Sequence, residues 1–383
     1  MKYSLSDICY YAKEKIDVAM LDENTYISTE NMTPNKAGIT RASSLPSITQ
    51  TQAFFTGDVL VSNIRPYFKK IWFADFDGGC SNDVLVFRAK EGMSKRFLYY
   101  VLADDIFFDY SMATSKGTKM PRGDKTAIMK YEVPRFTYEK QEKIAGILTA
   151  LDIKIKLNID INDNLTEQAR SIFQSWFINY EPFGGACPSD WKTATLGQIA
   201  VIKTDSWSPT KNPNVVVEYY SIPAFDEQHY PVFEIASEIK SNKYILNSDS
   251  VMISKLNPNT KRIWRPICLS THPVCSTEFI VYEAKKQEQR DYIYSILDSV
   301  PFFHHLCSHT TGSTNSRQRA TPKSTLDFTL CLPPDSVIED FCQIVTPMYD
   351  LIASNIVENQ LLAKARDSLL PRLMSGELDA SDL

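Results

Sequence analysis

No apolar stretch in the chain approaches the ~20 residues that a membrane-spanning helix requires. The opening residues, Met1-Lys2-Tyr3-Ser4-Leu5-Ser6-Asp7, have no apolar core of the secretory kind. A cytoplasmic protein is therefore expected. Glycine is scarce, 13 in 383 residues, and no glycine-rich cofactor loop is present. The Asn-Pro-Pro-Tyr or Asp-Pro-Pro-Tyr strings of adenine methyltransferases are also missing. The eight cysteines (Cys9, Cys80, Cys187, Cys268, Cys275, Cys307, Cys331 and Cys342) never form a closely spaced pair. They read as reduced core residues. His304, His305, Cys307 and His309 are the one possible metal cluster, and they read as packing or surface, because nothing equivalent stands around Asp105 to Ser111. Glu238-Ile239-Lys240 and Glu283-Ala284-Lys285 carry the end of a nuclease pattern without its upstream Pro-Asp. No catalytic residue and no metal site is assigned.

Basic excess is missing too. Lysine and arginine total 41 against 46 aspartates and glutamates, a net charge of −5. Distribution matters more than the total. Ser62 to Trp72, Ser115 to Lys125, Lys255 to Arg265 and Thr311 to Lys323 are basic blocks holding, among them, the single acid Asp124. Acids gather instead on the helical stretches and tail, as Asp160, Asp163, Glu167, Glu377, Asp379 and Asp382. Basic loops on an acidic chain fit a DNA-facing surface backed by a protein-facing one.

What is present is a duplication. Ser62-Asn63-Ile64-Arg65-Pro66, followed by Lys69-Lys70-Ile71-Trp72, returns as Ser254-Lys255-Leu256-Asn257-Pro258, followed by Lys261-Arg262-Ile263-Trp264, at an offset of 192. Cys80 to Phe87 returns as Cys275 to Tyr282 at 195, and Ala169-Arg170 as Ala365-Arg366 at 196. A slowly drifting offset is what small loop insertions between equivalent elements produce. Each copy begins with short β-rich runs bounded by Gly and Asn. Phe97 to Tyr110 and Tyr292 to Leu306 read as helices inside these domains. The expected class is mixed α/β (α+β).

Each copy ends in a long helix. From Thr137 to Phe177 there is no proline and only Gly146. Leu148, Leu151, Ile155, Asn158, Asn162, Leu165, Ala169, Ile172 and Trp176 alternate steps of three and four, a coiled-coil seam. The second copy gives Val345, Met348, Ile352, Asn355, Asn359, Leu362, Arg366, Leu369 and Leu373. Ser336 to Glu339 has the form of a capping box for it, and Pro347 predicts a kink or a later start. The division is 1–135, 136–180, 181–335 and 336–383: β-rich domain, central helix, β-rich domain, C-terminal helix with an acidic tail.

Four segments in this order resemble the specificity (S) subunit of type I restriction–modification systems. They are Gly57 to Pro66, Gln141-Glu142-Lys143-Ile144-Ala145, Leu165 to Ala169 leading to Phe173-Gln174-Ser175-Trp176-Phe177, and Leu369 to Leu378. The resemblance covers almost the full length. It implies two target-recognition domains, each reading one half of an asymmetric bipartite DNA sequence. It also implies two long helices packed as an antiparallel coiled coil that docks two methyltransferase subunits, with restriction subunits joining that core. S-adenosylmethionine, Mg and ATP are then expected only on partner subunits. One departure is the second helix start, Pro333-Pro334-Asp335 with Glu339-Asp340, which lacks the family's Glu-Gln dipeptide.

The residues expected to meet DNA are Ser62, Asn63, Arg65, Lys69, Lys70, Lys116, Lys119, Arg122 and Lys125 in the first copy. In the second they are Ser254, Lys255, Asn257, Lys261, Arg262, Arg317 and Arg319. Lys and Arg on phosphates supply affinity, while side chains in the grooves select bases. Arg65 suits guanine and its counterpart Asn257 suits adenine; pairing of Arg65 with Asp58 or Asp83 is the competing reading. Phe173, Trp176, Phe177, Leu369 and Leu373 are expected to dock a partner subunit. A recognition subunit of a type II-like system and a scaffold without DNA are the alternatives.

Overall fold

The computed structural model describes residues 2–311 and 318–380. Arg317, expected to meet DNA, lies outside the described residues. The chain divides into two units, residues 1–156 with 359–383, and residues 157–358. Each contains a sheet-bearing domain and parts of both long helices.

In the first unit an antiparallel sheet runs in the order Cys9–Tyr11, Val84–Ala89, Val59–Ser62, Ile71–Phe73. A second sheet orders Lys15–Asp17, Gln50–Phe54, Gly78–Cys80 and Tyr26–Ile27, the last pair parallel. Val59, Leu60 and Phe87 are fully buried. β-Branched and aromatic residues therefore cover both faces of the central strands, as strands packed on two sides require. The second unit repeats the plan. Ala200–Lys203, Phe279–Ala284, Ser250–Ser254 and Ile263–Trp264 form the equivalent antiparallel sheet. Ser206–Trp207, Lys243–Ile245, Pro273–Cys275, Val216–Tyr220 and Val232–Ile235 form the other. Ser62 pairs with Val84 and Ser254 with Phe279, so the register itself is duplicated. The mixed α/β class is as expected.

The helices within each domain differ from the sequence reading in one respect. Each expected helix is two: Lys95–Ala103 then Asp105–Ala113, and Arg290–Asp298 then Val300–Ser308. The break has a local cause. Asp104 and Ser299 adopt extended backbone and turn their side chains onto the N–H groups of Ile106 and Phe302, capping the second helix.

The long helices span Tyr138–Phe177 and Asp335–Ser375. The second starts before Ser336 and continues through Pro347, so Ser336 is no cap and Pro347 delays nothing. Every seam residue anticipated on both helices is buried or half-buried. In the second unit Asn355 Nδ2 donates to Asn162 Oδ1 at 2.9 Å, and Asn158 Nδ2 donates to Glu358 Oε2 at 2.6 Å. In the first, Arg366 Nη1 meets Asp152 Oδ1 at 2.8 Å and Lys140 Nζ meets Asp379 Oδ2 at 2.8 Å. Rising numbers on one helix meet falling numbers on the other, so the helices pair antiparallel within each unit. Among the described residues no helix is long and apolar enough to cross a membrane.

Two expectations are corrected. Phe173 and Phe177 are each 6% exposed and Leu373 is 0% exposed. The two phenylalanines stack within 6.1 Å of Tyr292 and Phe341, with Trp176 and Trp191 at the edge of the cluster. Leu373, with half-buried Leu369 against it, belongs to the first unit's core. These side chains hold a domain to its own helices rather than facing a partner. Cysteine is the second correction. Cys187 and Cys331 form a disulfide across 144 residues, because the antiparallel pairing of Lys192–Thr195 with Thr329–Leu332 brings the two segments together.

A buried ion-pair network seats the second domain on the C-terminal helix. Arg265 bridges Asp291 at 2.8 Å and Asp350 at 2.6 Å, and Arg290 also meets Asp291 at 2.9 Å. Burial pushes the Asp291 carboxyl up, but the hydrogen bonds and charge of Arg290 and Arg265 outweigh it and hold it below the usual range. A depressed folded value contributes stability above the unfolded value, about 3.9, and loses it as pH falls through the folded value. Asp291→Ala is expected to cost about 3 kcal/mol at neutral pH, read as a lower urea midpoint. The gap from the parent should close below about pH 4. A gap independent of pH would contradict this assignment.

Candidate nucleic-acid interface

The duplicated turn after the central strand is where the expected DNA residues meet. Strand Val59–Ser62 ends with Ser62 donating its hydroxyl to the Ile64 carbonyl at 3.1 Å. Strand Ser250–Ser254 ends the same way, Ser254 to Leu256 at 3.0 Å. Both serines are buried, so they shape the turn and do not face solvent. Three residues on, Arg65 (φ 50°) and Asn257 (φ 47°) both occupy the left-handed region. Asn tolerates that region and Arg does not, so the fold holds Arg65 there against its own preference.

A basic loop closes over each turn. Arg65 N–H donates to Pro121 O at 2.8 Å, and Asn257 N–H to Gln318 O at 3.0 Å. Gly123 N–H reaches Asn63 O at 3.2 Å, and Ala320 N–H reaches Lys255 O at 2.9 Å. At Gly123 a Cβ would lie 2.8 Å from Asn63 Oδ1 and from Ile128 Cδ1, so any larger residue would force those side chains to shift. Asn63 is 8% exposed and its Oδ1 has no hydrogen-bond partner. Lys116 and Arg122 pair through their main chains, N–H to O at 2.9 Å in both directions, and so form the neck of the loop that carries Lys119.

Side chains sort into two groups. Arg65, Lys119 and Lys125 are exposed, and none of them forms an ion pair among the described residues. Arg65 does not pair with Asp58, which is taken by Arg88 at 2.7 Å, nor with Asp83, which is taken by Arg122 at 3.2 Å. The other cations, Lys255 apart, have protein acceptors. Lys69 meets Asp105 at 3.0 Å beside Lys36 at 2.8 Å. Lys70 donates to Thr29 O at 2.6 Å, and burial lowers its pKa. Lys116 meets Asp124 at 2.5 Å; that hydrogen bond, with those from the Ala127 and Thr126 amides, holds the Asp124 carboxyl down at about 2. Lys261 and Arg170 share Asp298, at 2.5 and 2.6 Å. Arg262 forks onto Asp226 at 2.6 and 2.8 Å with only 12% of its side chain exposed. Arg319 forks onto Glu278 at 3.0 and 3.1 Å. Lys255 is half-buried.

Sequence reasoning did not single out the stretch Thr40 to Pro46. It forms, with Tyr26, Ser28, Ser81 and Asp83, a polar groove that reaches the Arg122 partner. Its only signal was composition: Arg41-Ala42-Ser43-Ser44 offers a cation and hydroxyls in a loop without periodicity.

This geometry has relatives. The type I restriction modification DNA specificity domain matches residues 1–167. The MjaIX specificity subunit of Methanocaldococcus jannaschii is 23% identical over 77% of this chain and 71% of its own length. The HindI specificity subunit of Haemophilus influenzae is 24% identical over 98% of this chain and 99% of its own. The crystal structure of a type I system S subunit from M. genitalium shares the fold, with a TM-score of 0.58 at 16% identity over 98% of this chain and 96% of that one. The matched domain family and the full-length sequence relatives thus define a DNA-specificity protein. The chain belongs to the specificity subunits of type I restriction–modification systems, and is the non-catalytic subunit that confers DNA specificity.

Backbone strain at the turn is directly measurable. Left-handed backbone costs an ordinary residue about 1–2 kcal/mol, offset by glycine's extra chain entropy of roughly 0.5–1 kcal/mol. Arg65→Gly should therefore hold or raise the thermal midpoint, while Asn257→Gly should not raise it. A clear loss in Arg65→Gly would mean that the Arg65 side chain, not the backbone, stabilises the turn.

Proposed function

We propose that each sheet-bearing domain reads one half of an asymmetric bipartite sequence in double-stranded DNA, with the residue at the left-handed position as a principal base reader. The observation that carries this reading is the paired turn. One backbone frame, closed by equivalent main-chain hydrogen bonds, carries exposed Arg65 in one copy and, in the other, half-buried Asn257, whose Oδ1 is buried without a hydrogen-bond partner among the described residues. A guanidinium fork suits guanine O6 and N7, and a carboxamide suits adenine N6 and N7. Two domains on one frame with different hydrogen-bonding groups match a target whose halves differ.

Affinity comes from cations that form no ion pair among the described residues. Lys119 and Lys125 neutralise phosphates beside the first turn, and half-buried Lys255 does so beside the second. Lys69, Lys70, Lys261 and Arg262 hold the domains together. Methylation and cleavage belong to partner chains, two methyltransferase subunits and the restriction subunits, in a cytoplasmic complex. S-adenosylmethionine, Mg and ATP bind those partners. With Phe173 and Phe177 internal, docking falls to apolar side chains the helices leave in solvent, such as Leu157 and Ile161, 51% and 43% exposed and one turn apart.

The test separates the two kinds of contact in the chain complexed with its methyltransferase. Lys119→Ala with Lys125→Ala is expected to weaken binding alike on all sequences and to reduce the salt slope by about 2. Arg65→Ala is expected to relax base preference, in selection from randomised duplexes, in one half-site only. An unchanged slope, or equal relaxation of both halves, would overturn these roles.

A further inference from the structure

Arg122 and Arg319 stand in the loops that close over the two turns, yet each is committed to an acid of its own domain. Arg122 Nη2 lies 3.2 Å from Asp83 Oδ1. Arg319 makes two contacts to Glu278, Nε to Oε2 at 3.0 Å and Nη2 to Oε1 at 3.1 Å. The acids are equivalent by position. Asp83 precedes strand Val84–Ala89 and Glu278 precedes strand Phe279–Ala284. Each also accepts, through its main-chain carbonyl, from the first residue of the turn: Asn63 N–H at 2.8 Å and Lys255 N–H at 2.9 Å. The arginines are equivalent as well, because Ile64 bridges Arg122 and Leu256 bridges Arg319 in antiparallel fashion. The residue at the left-handed position is thus the next one along from a main-chain bridge, and that bridge's far side is tied by a side chain to the segment on its near side.

We propose that Asp83–Arg122 and Glu278–Arg319 are clamps whose residues position Arg65 and Asn257, setting base discrimination in each half-site without contacting DNA themselves. This rests on the reading of Arg65 and Asn257 as base readers. A strained left-handed arginine needs its surroundings to over-determine it, and the loop is the segment that does so in both copies. Discrimination by a bidentate contact is lost when its donor drifts, because the geometry is narrow. The clamps are partly exposed, with side-chain exposures of 55% and 38% in the first pair and 46% and 29% in the second. Each is therefore a modest contributor, and the forked second pair is the stronger.

The experiment measures binding of the chain, in complex with its methyltransferase subunit, to a duplex bearing the complex's own methylation target and to single-base variants of it. Arg319→Gln is expected to lower discrimination in the second half-site by about fivefold, and Arg122→Gln to lower it in the first by about twofold. The salt slope should stay unchanged. The exchanged variant Glu278→Arg with Arg319→Glu should recover most of the lost discrimination, because the pair re-forms with its ends reversed. A salt slope lowered by about 1 with discrimination intact would make Arg319 a phosphate ligand and overturn the clamp. So would an exchanged variant that binds worse than Arg319→Gln. Asn257→Ala is measured alongside. If it leaves the second half-site untouched, the reader assignment itself fails; if it relaxes that half-site while Arg319→Gln does not, the clamp alone fails. Equal thermal midpoints for Arg319→Gln and the parent are expected, and a fall of more than a few degrees would make the pair structural and contradict the positioning role.

Discussion

Everything in each unit is seated on a pair of antiparallel helix segments, and what fixes that pairing is polar. An apolar seam alone tolerates sliding by a turn, since leucine against isoleucine is nearly as good one step along. In the second unit Asn162 meets Asn355 and Asn158 meets Glu358. In the first unit Arg366 meets Asp152, which also accepts the Tyr100 hydroxyl at 2.7 Å. Any other alignment would set buried amides and charges against hydrocarbon, at a cost of several kcal/mol for each unpaired group. The seam gives up some stability for a single register.

The sheet domains then inherit their positions from side chains that reach the helices. Phe173, Phe177 and Phe341 close around Tyr292 in one unit, and Leu148, Leu370 and Leu373 join Phe97 and Tyr100 in the core of the other. On the sheets, the strand ending in Ser62 or Ser254 delivers the chain into a left-handed turn closed by a basic loop. Duplication of the register, and not only of the sequence, gives both domains the same frame. On the proposed reading, specificity rests on what differs within that frame: arginine against asparagine at the turn, and asparagine against lysine two residues earlier.

The sequence made some of this legible and hid the rest for a physical reason. Repeats, strands and the helix seam are local or periodic signals, and the seam positions proved buried or half-buried along both helices. Ion pairing is neither local nor periodic. Lys261 finds Asp298, and Arg262 finds Asp226, more than thirty residues away in opposite directions along the chain, so a basic block in sequence became packing in space. The aromatic end of the central helix misled for a related reason: Phe173 and Phe177 look like an exposed patch until Tyr292 arrives from the following domain and Phe341 from the C-terminal helix. The Cys187–Cys331 bond joins segments that meet only through a strand pairing. At Arg65 the sequence supplied the residue but not its left-handed backbone, which the covering loop imposes.

The central claim is that this chain alone dictates which bipartite DNA sequence its complex modifies. The most direct measurement is a methylome. The chain is produced with its methyltransferase partner in a methylation-free host, and modified adenines are mapped with and without it. The account predicts one bipartite motif with a fixed gap and unlike halves, present only when the chain is present. Methylation that persists without the chain, or a purified complex that leaves no motif, would contradict it.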